Sequence, residues 1–109
     1  MAFSKSLAQR IRDALVRRPG IVEKKMFGGV AFLLNGNLLV GVWKNLLIVR
    51  LGSVQGEKAL RELNVREFDI TGRAMKGWVM VEPEGIDEDG QLDAWIALAE
   101  EFVLTLPAK

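Results

Sequence analysis

The spacing of apolar residues along the chain changes several times, and each change marks an element. Leu7, Ile11, Ala14 and Leu15 recur at helical spacing and predict an amphipathic first helix. Ser4 or Ser6 opens it, the latter with Gln9 at capping-box spacing, and Pro19-Gly20 stops it. The pattern then turns strand-like over Val22–Leu34, Leu38–Trp43 and Leu46–Leu51, with Asn35-Gly36-Asn37 and Lys44-Asn45 as the connections of a β-meander. Gly28-Gly29 inside the first segment predicts a bulge or bend, because glycine brings no side chain to pack and tolerates unusual backbone angles.

Ser53 is placed to cap a second helix through about Leu63, with Val54, Leu60 and Leu63 as its buried residues and Gly56 weakening its first turn. Arg66–Ile70 and Met75–Val81 read as a hairpin around Thr71-Gly72-Arg73, closed by Pro83. Asp87 caps a last helix that carries Leu92, Trp95, Ile96, Ala99, Phe102, Val103 and Leu106 at i, i+3, i+4, i+7 spacing until Pro107. The expected order is α-β-β-β-α-β-β-α, an α+β fold of two layers with a central, mainly antiparallel sheet. A chain of 109 residues without repeat or linker is expected to be one domain.

The strands are apolar on both faces, with Leu46 and Ile48 on one and Leu47, Val49 and Leu51 on the other, so the second face needs a cover. Three helices are few for that task, and a homodimer sharing part of the sheet or its edge is the expected solution.

Composition narrows the chemistry. There is no cysteine and no histidine, which removes thiolate chemistry, disulfides, the usual neutral-pH acid–base group and the commonest transition-metal ligand. No apolar run is long enough for a membrane span and no signal-like block opens the chain, so a cytoplasmic protein is expected. The net charge of +1 conceals a polarity: residues Met1–Lys25 sum to +5 and residues Glu82–Glu101 to −8. Such a distribution can build one basic and one acidic surface, or simply solvate helix faces and place acids at a helix start.

No constellation of residues predicts catalysis. The hydroxyls Ser4, Ser6, Ser53, Thr71 and Thr105 have no histidine to activate them. The acidic run from Glu84 to Gly90 lacks the alternating spacing of a calcium loop and suits helix capping better. Gly28-Gly29 after Lys24-Lys25 lacks phosphate-loop spacing. Two cationic groups remain, Glu23-Lys24-Lys25 and the stretch from Thr71 to Trp78 with Arg73 and Lys76. Lysines and arginines beside a glycine turn and an aromatic ring can hold phosphate or stack on a base, although edge lysines also guard sheets and a tryptophan in an apolar strand is commonly core. Arg50 joins them as a lone cation in an apolar strand, which calls for a specific counterpart.

The stretch Glu23-Lys24-Lys25-Met26-Phe27-Gly28-Gly29, followed by Phe32 and Leu33-Leu34-Asn35-Gly36-Asn37, resembles the opening signature of the TfoX N-terminal domain family, and Thr71-Gly72-Arg73-Ala74-Met75-Lys76-Gly77-Trp78-Val79 resembles its second signature. Ala74 stands where relatives often have proline. The resemblance implies a stand-alone single-domain member, a two-layer fold similar to secretion chaperones, and a dimer. It also implies a link to competence regulators that act with the cyclic-AMP receptor protein and carry a further C-terminal helical domain. It implies no catalytic residues, metal or cofactor, and marks Lys24, Lys25, Arg73 and Lys76 as motif members available for contact with a partner. The expected function is a regulatory interaction module acting through a transcription factor or another protein. Direct DNA binding through the N-terminal cations, and a small-ligand binder or enzyme with Arg50 in an anion-holding pocket, are the alternatives.

Overall fold

In the computed structural model, which describes every residue except Met1, Ala2, Phe27, Thr71, Arg73 and Ala74, helix α1 (Lys5–Leu15) precedes four strands, β1 (Ile21–Met26), β2 (Gly29–Leu34), β3 (Asn37–Trp43) and β4 (Leu46–Arg50). Helix α2 (Gly52–Ala59), strands β5 (Val65–Glu67) and β6 (Trp78–Val81), a 3-10 turn over Pro83–Gly85 and helix α3 (Asp89–Val103) complete the order. The six strands form one antiparallel sheet in the order β1-β2-β3-β4-β6-β5. The α+β class and the antiparallel sheet agree with the sequence pattern.

One expected segment becomes two. The run from Val22 to Leu34 does not bend but reverses, with Met26 opposite Gly29 and Gly28 at φ +78° in the connection. Positive φ is open to glycine without a Cβ clash, so the predicted bulge position serves as a hairpin turn. The bulge lies one strand later: Val40 faces Phe32 and Leu38 faces Leu33, leaving Leu39 unpaired between them. Both Leu39 and Val40 then point into the same core. Asn35 (φ 54°) and Gly36 (φ 85°) make the primed two-residue turn that joins β2 to β3.

The inner face of the sheet packs on α1 and α3, with Ile11, Phe32, Leu39, Leu47, Leu92 and Ile96 fully buried. At about 25 cal/mol per Å² this apolar burial is the main favourable term in the fold. The outer face has its own smaller cluster, Leu46, Ile48, Phe68 and Met80, with Trp43, Ile70 and Trp78 packed around it. The alternation of Leu46 and Ile48 against Leu47, Val49 and Leu51 is thus as expected. Part of the outer cover comes from the chain itself, since Phe68 and Ile70 belong to the connection between β5 and β6.

The caps shift slightly. Ser4 rather than Ser6 caps α1, its Oγ accepting from Leu7 N at 3.2 Å. Glu88 rather than Asp87 precedes α3, and Gln91 Oε1 accepts from its N–H at 2.9 Å. The helix ends at Val103, before Leu106. Buried Asn37 donates from Nδ2 to the Pro107 carbonyl at 2.9 Å, tying the C-terminal segment to the sheet.

Helix α2 overturns its prediction. It is shorter, Leu51 precedes it without a side-chain cap, and Val54, Leu60 and Leu63 are exposed while Gly52, Gly56 and Ala59 are buried. The cause is backbone contact. Leu51 and Gly52 both donate their N–H to the Gly77 carbonyl, at 2.8 and 3.1 Å, and a Cβ on Gly56 would lie 2.9 Å from the Gly77 Cα. The expected hairpin strands are also shorter: Val65–Glu67 replaces Arg66–Ile70, and the second strand starts at Trp78.

Candidate functional site

Folding joins the two ends of the charge polarity at two points. Arg10 donates from NH2 to the Ile86 carbonyl at 2.7 Å and meets Asp89, while Arg18 Nε reaches Glu100 at 2.8 Å. The basic first helix is therefore locked to the acidic C-terminal region. Arg12 grips Glu23 of β1 with two bonds of 2.9 and 2.8 Å. Arg12's hydrogen bond holds the Glu23 carboxyl below its ordinary pKa, and the same contact raises that of Arg12. Three of the four arginines that could have formed a DNA-binding stripe on α1 and its end have carboxylate partners. A concentrated basic surface does not result.

The residues singled out from sequence separate into two places. Lys24 and Lys25 are exposed on β1, the strand at one edge of the sheet, and point to opposite faces. Arg50 ends β4 opposite Trp78, three strands away, which is about 14 Å at ordinary strand spacing. Lys76 is exposed just before β6, near Arg50, and Arg73 lies outside the described residues. None of Lys24, Lys25, Arg50 and Lys76 has a carboxylate partner among the described residues.

Arg50's counterpart is aromatic. Its guanidinium stands 5.0 Å from the Trp78 ring centroid and 5.9 Å from that of Phe102, which favours a cation without needing an acid. Partial burial lowers its pKa, yet an arginine stays charged. A cleft of about 300 Å³ opens nearby between α2 and the end of α3. Its lining includes Ser53, Phe102 and Glu101 but no cation, so Arg50 does not furnish that cleft with an anion site. No cluster of acidic side chains suited to a metal ion occurs among the described residues.

Two features escaped the sequence reading. Lys44, read only as a turn residue, places its ammonium 4.6 Å from the Trp43 ring. On the outer face Val22, Leu33 and Leu38 stand side by side in register across β1, β2 and β3, with Val22 55 % exposed and the two leucines partly exposed. The cover supplied by Phe68 and Ile70 lies over the other half of that face, at β4 and β6. Alternation showed that the face was apolar, but which half the chain covers depends on the path of a connection with no periodic pattern.

Among the described residues no helix is long and apolar enough to cross a membrane. No curated protein and no solved structure matches the chain. Residues 13–103 match the profile of the TfoX N-terminal domain, a stretch that includes β1 with its lysines, Gly77 and Trp78, and all of α3. On that match over most of its length, the chain belongs to the TfoX N-terminal domain family.

Proposed function

We propose that this chain is a non-enzymatic regulatory module that acts in the cytoplasm, as a homodimer, by binding another protein, and that through this partner it bears on transcription or competence. Membership of the TfoX N-terminal domain family supports the regulatory part of the reading.

The observation that carries the protein partner is the open half of the outer face. The row Val22, Leu33, Leu38 is bordered on β1 by Lys24, which has no acid partner among the described residues. Apolar side chains beside a cation suit a protein surface with acidic residues around an apolar centre. A phosphate backbone would instead reward a denser basic patch, and three of the four arginines that could have made one are held by Asp89, Glu23 and Glu100.

The test is a cross-linked pull-down from the host with wild-type protein and with Leu38→Glu, alongside a titration of labelled duplex DNA. The reading expects a captured protein that is lost at high salt and in the variant, and no DNA shift near physiological salt. Capture of no protein, or a DNA shift that survives physiological salt, would overturn it.

A further inference from the structure

We infer that two copies of the chain join through β1, antiparallel about a two-fold axis at Lys24, merging two six-stranded sheets into one. The inference rests on the homodimer reading above and gives it a geometry.

The two edges of the sheet differ. Strand β5 has three residues, whereas β1 has six and is exposed from Val22 to Lys25. Backbone groups along such an edge lack partners in the sheet and form a template for another strand. Which groups are free follows from the hairpin. Met26 and Gly29 close a two-residue connection, so that pair is hydrogen-bonded, and bonded pairs recur at every second residue. The Asn35 N–H bonded to the Gly20 carbonyl at 3.0 Å fits this phase. Even-numbered residues therefore bond β2, and Ile21, Glu23 and Lys25 direct their N–H and C=O outward.

Symmetry and charge then choose the register. A two-fold pairing that uses these outward groups can be centred on Glu23, which sets Glu23 against its own copy. It can instead be centred on Lys24, which sets Glu23 opposite Lys25 of the second copy, twice. The second arrangement opposes unlike charges on the inner face and leaves Lys24 facing Lys24 on the outer, solvated face, where like charges cost least.

The flanks of the edge agree. On the inner side a groove of about 270 Å³ runs between α1 and β1, its apolar residues Leu15, Val16, Ile21 and Phe32 flanked by Arg12, Arg18 and Glu23. Val16 in it is 77 % exposed, and on the outer side Val22 is 55 % exposed. In the Lys24-centred register Lys25 of the second copy stands opposite Glu23 and shares its carboxylate with Arg12. Val22 meets Met26 of the second copy. The row Val22, Leu33, Leu38 thus runs on into Met26 of the second copy, and its image lies four residues along β1 on the other side of the two-fold axis.

The chain has no cysteine, which makes cross-linking unambiguous. Lys24→Cys faces itself in a non-hydrogen-bonded pair with Cα atoms about 4.5 Å apart, within the range a disulfide spans. The expected results are a dimer mass by sedimentation, oxidation of Lys24→Cys to a covalent dimer, and no such product from Glu23→Cys. Lys25→Glu weakens association by about tenfold, since two attractive contacts become repulsive, and adding Glu23→Lys recovers part of it. Thermal melts confirm that each variant is folded. A dimer that neither cross-links at Lys24→Cys nor responds to Lys25→Glu overturns the edge geometry and leaves the homodimer reading in place. A monomer at every concentration overturns both, while the pull-down still decides the protein-partner reading by itself.

Discussion

Helices α2 and α3 lie against the same sheet and are held there by different means. Helix α3 crosses β3 and β4 with Leu92, Trp95, Ile96, Ala99 and Val103 buried beneath it. Helix α2 lies on β6 and buries only Gly52, Gly56 and Ala59. Its glycines admit another stretch of backbone: a Cβ on Gly77 would stand 2.9 Å from the Gly52 carbonyl carbon, as one on Gly56 would from the Gly77 Cα. Apolar periodicity reports helices gripped by side chains. Where the grip is backbone on backbone, the buried stripe is made of the residues that such a pattern discounts.

The largest effect expected from this difference is in α3. Ile96 is 1 % exposed, and Ile96→Ala leaves a cavity between helix and sheet that costs about 2–5 kcal/mol, measured by urea unfolding. The sharper test is Gly56→Ala. Helix propensity alone predicts a gain of roughly 1 kcal/mol, because alanine is the better helix former. The contact with Gly77 predicts a loss of about 1–3 kcal/mol, because the obstacle is backbone and cannot swing aside. The sign of the measured change decides between them, and a stabilised Gly56→Ala variant would falsify the backbone-on-backbone grip of α2.

The same contrast explains how much was legible in advance. Helix α3 could be read because its apolar residues have nowhere else to go, and the antiparallel strands because Asn35-Gly36 is a strong turn signal. The hairpin of β1 and β2 was missed because β1 carries Glu23, Lys24 and Lys25 and is exposed, so no change of period separates it from the apolar β2. Helix α2 was misread because Val54, Leu60 and Leu63 imitate a buried stripe. The candidate cations were found from residue type and motif, but their partition was invisible. That Arg10, Arg12 and Arg18 would be engaged while Lys24, Lys25 and Arg50 stayed free of acids depends on contacts as distant in sequence as Arg18 and Glu100.

Surface electrostatics sharpens the comparison at a smaller scale. Among the described residues α3 has ion pairs through Asp89 to Arg10 of α1 and through Glu100 to Arg18 just beyond it, and α2 has none. The Arg18 and Glu100 side chains are about one-third exposed, at 32 % and 27 %, so Arg18→Gln is expected to cost about 0.5–1 kcal/mol, less at high salt. Removing a charge from α2, as in Lys58→Gln, changes stability by no more than a few tenths of a kcal/mol. A salt-dependent difference between the two variants in thermal melts checks this directly.

The smallest effect is the most informative about α2. Val54 is 66 % and Leu63 87 % exposed, so replacing both with serine removes almost no buried area. The double variant is expected to unfold within about 0.5 kcal/mol of the parent, since substitutions away from packed or capped positions rarely do more. Had the apolar pattern of this helix been its true packing face, the same change would strip two core side chains and cost several kcal/mol. A large loss that stays constant with protein concentration would mean α2 packs through its valine and leucines after all. A loss that grows on dilution would instead mean a second copy covers them, placing a contact on α2 as well as, or in place of, the one at β1. Measuring the midpoint at two concentrations therefore separates a helix held by glycine from one held by its apolar side chains, within the chain or across a dimer.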